Sequence, residues 1–184
     1  MDFEAIEEKI KNVNALTTPE ERRAFCKYAK KVPNGGVIVD IGTAAGSSAF
    51  TFALASKPSV KVYTIDPNKN ENFLANREEW GLEEKLVFIN KTSEEAVKEW
   101  NKKIDLLFID GIHSYLGVMN DFNWYSPSVK KGGIILFHDY FLYRDTIGMA
   151  VDEICNGGRV EKIEIIDSLF HKEVRTGMYV VTKL

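Results

Sequence analysis

Val37-Ile-Val-Asp-Ile-Gly-Thr-Ala-Ala-Gly-Ser-Ser48 is the stretch on which the fold turns. An apolar run takes in one acid, Asp40, and then enters a loop of small residues with glycines at 42 and 46. So short a run, apolar on both faces, reads as a strand in the interior of a parallel sheet. The loop lacks the middle glycine of G-x-G-x-x-G, which lets a pyrophosphate approach the backbone. It also lacks the G-K-[ST] ending of a triphosphate loop. A nicotinamide-dependent oxidoreductase is therefore disfavoured.

Strands and helices alternate outward from this stretch. A helix is expected from about Gly46 to Ser56, a strand at Val60–Ile65, a helix at Asn68–Trp80 and a strand at Lys85–Ile89. Next come a helix at Ser93–Asn101, a strand at Ile104–Ile109, a helix at Ser114–Tyr125, a strand at Ile134–Phe137 and a helix at Asp145–Cys155. Such alternation specifies a doubly wound α/β fold with a mostly parallel sheet. The last two strand-like runs, Val160–Ile166 and Met178–Thr182, are joined by a segment too short for a crossover helix. They are expected to pair as an antiparallel hairpin, giving seven strands in all. Upstream, Phe3, Ile6, Ile10 and Val13 mark an amphipathic helix, and Thr18-Pro19-Glu20-Glu21 reads as a capping box opening a second helix to about Lys31. The chain thus divides into N-terminal helices over 1–33 and an α/β core over 36–184 within one domain.

The bulk numbers agree with this. The 184 residues are 45% hydrophobic and 28% charged, with a formal net charge of -3. No basic tract suggests nucleic acid, and no run approaches the ~18 apolar residues of a membrane span. Cys26 and Cys155 stand in no metal spacing and read as buried thiols of an intracellular protein. The N-terminus carries acids where a signal peptide carries bases, so a cytoplasmic place is expected.

Ligands of open α/β sheets bind outside the carboxyl ends of the strands. Acids stand near four such ends: Asp40, Asp66, Asp110 and Asp139. A glycine-containing turn beside an acid suits a ligand with a cationic part and no phosphate. S-adenosylmethionine fits, because its amino group and sulfonium are cationic and its carboxylate can meet a helix N-terminus. Asp40, Gly42, Thr43, Ala44, Gly46 and Ser47 are the expected cofactor loop, and Asp66 is placed to accept the ribose hydroxyls.

With these motifs the chain resembles the class I S-adenosylmethionine-dependent methyltransferases over about residues 36–184. The resemblance implies that Ser93, after the third strand, meets the adenine side, and that Asp110 also borders the cofactor. Ile109-Asp-Gly-Ile-His-Ser-Tyr115 and Gly132-Gly-Ile-Ile-Leu-Phe-His-Asp-Tyr140 look like a narrower group, the family 24 and catechol-type O-methyltransferases. That likeness implies O-methylation of a small-molecule hydroxyl. It implies a metal between the acids after the fourth and fifth strands, here Asp110 and Asp139, with His138 in place of a further acid. A histidine ligand shifts the expected ion from magnesium toward manganese, iron or zinc, or toward no metal at all. His113 stands where catechol-type enzymes carry a basic lysine, so His113 and Asp110 are the expected catalytic pair. Tyr115, Trp124, Tyr140, Phe141 and Tyr143 are candidate pocket aromatics. The N-terminal helices are placed to act as a lid or as the surface of a homodimer. The rival expectation is a hydroxylase-like metal-dependent enzyme, or a non-catalytic cofactor-binding protein, on the same fold.

Overall fold

Two N-terminal helices, α1 (Phe3–Ile10) and α2 (Pro19–Lys31), precede the sheet. The computed structural model describes residues 1–14 and 16–184. The capping box of α2 forms as expected: the Glu21 amide donates to Thr18 Oγ1, and the Glu21 carboxylate accepts from the Thr18 amide. From there the chain runs β1 (Val37–Ile41), α3 (Ser47–Ala55), β2 (Lys61–Ile65), α4 (Glu71–Glu79), β3 (Leu86–Ile89), α5 (Ser93–Val97) and β4 (Ile104–Ile109). It continues with α6 (Tyr115–Tyr125), β5 (Val129–Phe137), α7 (Met149–Asn156), β6 (Val160–Phe170) and β7 (Val174–Lys183).

The seven strands lie in the order β3-β2-β1-β4-β5-β7-β6. The first five in space are parallel, and β7 runs antiparallel to both β5 and β6. This is the mostly parallel sheet with a terminal hairpin that the sequence predicts. The chain winds outward from β1 to β3 and then restarts at β4 on the other side of β1. A crevice therefore opens at the carboxyl ends of β1 and β4.

Each strand turns alternate residues to opposite layers. Ile38, Phe108, Leu136 and Val180 pack against the layer containing α1, α2 and α3. Val39, Ile41, Leu107, Ile109, Ile135 and Val181 pack against α6 and α7 on the other face. Phe25, Phe52 and Phe108, all fully buried, meet in tilted and edge-on pairs with centroids 4.9–5.8 Å apart and fasten the N-terminal helices to the sheet. Burying each such side chain stabilises the fold by about 1.5–3 kcal/mol. Among the described residues, no helix is long and apolar enough to cross a membrane.

Several boundaries differ from expectation. Helix α1 ends at Ile10 and α5 at Val97, and α4 begins only after its Asn70 cap. The fifth strand starts at Val129, because Val129 pairs with Ile104 before a bulge. The helix expected at Asp145–Cys155 opens as one wide turn over Arg144–Gly148. The hairpin is longer than read: residues assigned to its connection extend both strands, with Asp167 opposite Gly177 and Phe170 opposite Val174. Cys26 is buried as expected, whereas Cys155 is partly exposed.

Candidate active site

Beyond the last paired residues, the ladder runs on by one step. The Gly42 amide donates to Ile65 O at 2.9 Å, Asp66 to Ile89 O at 3.2 Å, Asp110 to Ile41 O at 2.9 Å and His138 to Ile109 O at 3.1 Å. Register therefore sets Gly42, Asp66, Asp110 and His138 in one row along the rim of the sheet.

The first loop is pinned from Asp66. Its Oδ2 accepts from the amides of Thr43 and Ala44, both at 3.1 Å, and its Oδ1 from the amide of Asn68 at 2.8 Å. Gly42 has φ +99°, and a Cβ there would stand 2.1 Å from the Asp110 carbonyl oxygen. Only glycine lets the loops after β1 and β4 approach so closely.

A cavity of about 520 Å³ opens above this row. Of the residues singled out from sequence, Gly42, Ala44, Asp66, Ser93, Asp110, His113, His138 and Asp139 line it. Asp40, Thr43, Gly46 and Ser47 stand behind it. The reason for Asp40 is strand alternation: Ile41 faces the cavity, so its neighbour faces α3. There the Asp40 carboxylate, with no solvent exposure, accepts from Thr64 Oγ1 at 2.8 Å and Ser48 Oγ at 3.1 Å. Burial pushes its pKa up to about 7. The hydroxyls of Thr43 and Ser47 are likewise engaged, with Thr64 at 2.6 Å and Thr17 at 2.8 Å.

At the far end of the cavity two histidines and three carboxylates interlock. His138 Nδ1 is 3.0 Å from Asp110 Oδ1 and 3.4 Å from Asp139 Oδ1, while its Nε2 is 3.3 Å from Glu21 Oε2. His113 Nε2 is 3.3 Å from Asp110 Oδ1, and its Nδ1 is 3.6 Å from Asp139 Oδ2. Burial alone would neutralise His138, but Asp110 and Glu21 outweigh it and hold the ring's pKa well above the ordinary histidine value. Burial would likewise raise Asp110, yet the charge of His138 and the hydrogen bond from His113 keep it below the usual carboxylate range. Burial prevails at Asp139, whose pKa is raised. The hydrogen bond to Asp110 raises that of His113. Asp139 also has φ +53°, an uncommon backbone for a non-glycine residue. Its carboxylate accepts from Thr176 Oγ1 at 2.8 Å.

Asp110, His113 and Asp139 offer donor atoms that all lie within 4.8 Å of one another. Two carboxylate oxygens and one imidazole nitrogen fit a borderline divalent ion such as manganese, iron or zinc better than magnesium. His138 is not in that group. Its Nδ1 is engaged with Asp110 Oδ1, and its Nε2 lies buried beside Glu21 Oε2. The geometry thus brings His113, and not His138, together with Asp110 and Asp139 in that spacing. The cavity also fits an adenosine-bearing ligand: its volume is that of a small-molecule site, and Ile41, Ile65 and Pro67 supply apolar surface beside the Asp66 carboxylate.

Sequence reasoning missed several residues. Glu21, wholly buried, also accepts from Ser168 Oγ at 3.0 Å. Its part in the capping box concealed its second role. Asp121, on α6, is 4% exposed and lines the cavity. Its signal was an acid on the apolar face made by Val118, Phe122 and Tyr125. The mouth carries Leu16, Ile112, Leu142, Phe170 and Val174, none of which was a candidate site residue from sequence. Of the candidate aromatics, Tyr143 alone lines the cavity, with its ring 4.8 Å from that of His113. Tyr115 binds Glu153, Tyr140 binds Asp152 at 2.8 Å, and Trp124 and Phe141 pack against the core.

Comparison with known proteins bears on this geometry. A family described as a methyltransferase domain matches residues 39–140, from β1 to the residue after Asp139. An uncharacterized protein of Acanthamoeba polyphaga mimivirus is 37% identical over 116 residues, 58% of this chain and 52% of that protein. The chain thus spans about half the length of that relative. A Saccharolobus solfataricus protein, described as a probable cobalt-precorrin-6B C(15)-methyltransferase (decarboxylating), is 27% identical over 86% of this chain and 78% of its own length. Among solved structures, an O-methyltransferase from Bacillus cereus in complex with SAH superposes with a TM-score of 0.78. It covers 100% of this chain and 92% of its own, at 17% identity.

Proposed function

We propose that this chain, which belongs to the methyltransferase-domain family, moves a methyl group from S-adenosylmethionine to a hydroxyl oxygen of a small molecule. The carrying observation is that Asp66 and the Asp110–His113–Asp139 group share one cavity. S-adenosylmethionine, when bound, supplies a methyl group on a positively charged sulfur, open to in-line attack. Asp66 holds the Gly42–Gly46 loop in place and retains acceptor capacity on Oδ1 for ribose hydroxyls. Gly42 and Ala44 form the backbone wall beside it. Asp110 and Asp139 turn negative charge toward the cationic end of the ligand.

His113, partly exposed in the cavity with its ring tilted against that of Tyr143, takes the proton from the acceptor hydroxyl. A placed base of this kind contributes roughly 10²–10⁴ in rate. Holding donor and acceptor in line contributes up to about 7–11 kcal/mol more. The mouth of Leu16, Ile112, Leu142, Phe170 and Val174 supports an acceptor with an apolar body.

A second arrangement is favoured by the spacing of the three donors. A divalent ion held by Asp110, His113 and Asp139 would supply Lewis acidity to the same hydroxyl and lower its pKa. His113 would then be a ligand and not the base.

Calorimetric titration with S-adenosylhomocysteine tests the site. Binding to the wild type should weaken at least roughly tenfold in Asp66→Ala, and equal affinity would remove Asp66 from the site. Incubation with S-adenosylmethionine and a panel of phenols, sugar alcohols and carboxylic acids, with manganese or with a chelator, tests the chemistry. Cofactor binding with no methylated product from any acceptor would leave a cofactor-binding protein in place of an enzyme.

A further inference from the structure

Among the described residues that line the cavity there is no lysine or arginine, while the carboxylates of Asp66, Asp110, Asp121 and Asp139 all stand on its wall. Two imidazoles supply the positive charge available there, and both are already set against acids. His138 Nδ1 lies 3.0 Å from Asp110 Oδ1 and its Nε2 3.3 Å from Glu21 Oε2. His113 lies 3.3 Å from Asp110 and 3.6 Å from Asp139. Backbone donors are engaged too. The amides of Thr43 and Ala44 point to Asp66, and the N-terminus of α6, just after His113, is closed by Ser114, whose Oγ accepts from the Gly117 amide at 3.0 Å.

Outside this acidic interior the mouth is apolar and open to solvent. Leu16 is 62% exposed and Ile112 73%, and Leu142 and Val174 are exposed as well. Large apolar side chains gathered at one opening mark a surface that a ligand covers. The hairpin supplies part of it: Phe170 pairs with Val174 beyond Phe137–Tyr179, where the pairing of β7 with β5 ends. Its cation Arg175 takes no part. Strand alternation turns Arg175 away from Val174's side, and there it pairs with Asp167 at 2.7 Å and covers the Phe141 ring at 3.7 Å. Lys172, in the turn, is not on the cavity wall.

An acceptor entering this site leaves its hydration behind. For an anion that cost goes without offset, because no free cation waits for it and the carboxylates repel it. S-adenosylmethionine escapes the penalty, since its carboxylate travels with an ammonium and a sulfonium on the same molecule. We propose that the methyl acceptor is a hydroxyl compound whose body carries no anionic group, and that the cavity rejects carboxylates and phosphate esters of the same shape. This rests on the reading of the cavity as the site of methyl transfer. Rejection by unmatched like charge is a source of specificity separate from any attractive contact.

The test titrates matched ligands into the full-length protein saturated with S-adenosylhomocysteine, by calorimetry and with no metal added. The pairs are 4-hydroxyphenylacetamide with 4-hydroxyphenylacetate, and 6-hydroxyhexanamide with 6-hydroxyhexanoate. Amide and carboxylate are close in size and both polar, so their difference reads charge and not apolar burial. At least one amide should bind, and its acid should bind at least roughly tenfold more weakly. Val174→Lys sets a cation at an exposed position on the mouth and should narrow that ratio at least roughly threefold. Equal affinity of amide and acid in the wild type would overturn the proposal. So would an unchanged ratio in Val174→Lys, or binding of neither amide, and in each of these cases retained binding of S-adenosylhomocysteine would leave the cofactor assignment standing. Failure of the wild type to bind S-adenosylhomocysteine at all would overturn both.

Discussion

Nε2 of His138 lies 3.3 Å from Oε2 of Glu21, and neither side chain reaches solvent to any useful extent. The contact joins the second N-terminal helix to the rim of the sheet. Through Asp110, at 3.0 Å from the other ring nitrogen, it joins both to the cavity. The N-terminal helices are therefore part of the site's support. Their carboxylate holds the imidazole that holds Asp110.

Removing Glu21 should be costly. Glu21→Ala would leave His138 with an uncompensated buried charge and strip Ser168 of its acceptor. Breaking such a pair from one side typically costs about 3–5 kcal/mol. Urea unfolding should show a midpoint well below that of the wild type with an unchanged slope. A loss under about 1 kcal/mol would mean that the pair carries little net charge.

Gly42→Ala probes the approach of the loops after β1 and β4. Its φ of +99° is unfavourable for any residue with a Cβ, and the added carbon would meet the Asp110 carbonyl. The backbone conformation alone costs about 1–2 kcal/mol, and relief of the clash must displace Asp110. The variant should lose thermal stability and bind S-adenosylhomocysteine at least roughly tenfold more weakly. Full retention of both would show that the loop is free to move aside.

Much of this was legible in the sequence, for definite reasons. The five parallel strands carry apolar residues on both faces, a pattern with few alternatives. Asp66, Asp110 and Asp139 each stand directly after a strand or one residue beyond it, so their placement on the rim followed from the register. The hairpin itself was legible, but its strands were read too short, because β6, Val160–Phe170, mixes charged and apolar residues and its turn at His171 and Lys172 takes positive φ without glycine. Glu21 was hidden by its capping role. Asp121 was overlooked as a helical acid, although its apolar neighbours at positions 118, 122 and 125 mark that face as buried.

His113 should separate catalysis from binding. His113→Ala removes the base but leaves Asp66 and the glycine loop intact. Methyl transfer to an accepted phenol or alcohol should fall by roughly 10²–10⁴ in kcat, with little change in the KM for S-adenosylmethionine. If kcat holds within a few-fold in the absence of added metal, the proton leaves by another route.

Asp40 supplies a test through pH and stability. It lies behind the loop with no solvent exposure, and its two hydrogen bonds come from the neutral hydroxyls of Thr64 and Ser48. Burial lifts its pKa from an ordinary 3.8 to about 7 in the folded chain. Below the unfolded value both states hold the proton and nothing is lost. As pH rises from about 4 to 7 the unfolded chain releases its proton while the folded chain keeps it, so this residue's contribution to stability declines across that window. A shift of this size corresponds to about 4 kcal/mol at most. Asp40→Asn removes the titration and keeps a carbonyl for the same two hydroxyls. The variant should gain on the wild type steadily from pH 4 to pH 7, then run parallel to it above that. Denaturant midpoints measured across that range decide the matter. A constant difference between the two proteins would show that Asp40 ionises normally where it stands, and that the hydroxyls of Thr64 and Ser48 suffice to stabilise its charge.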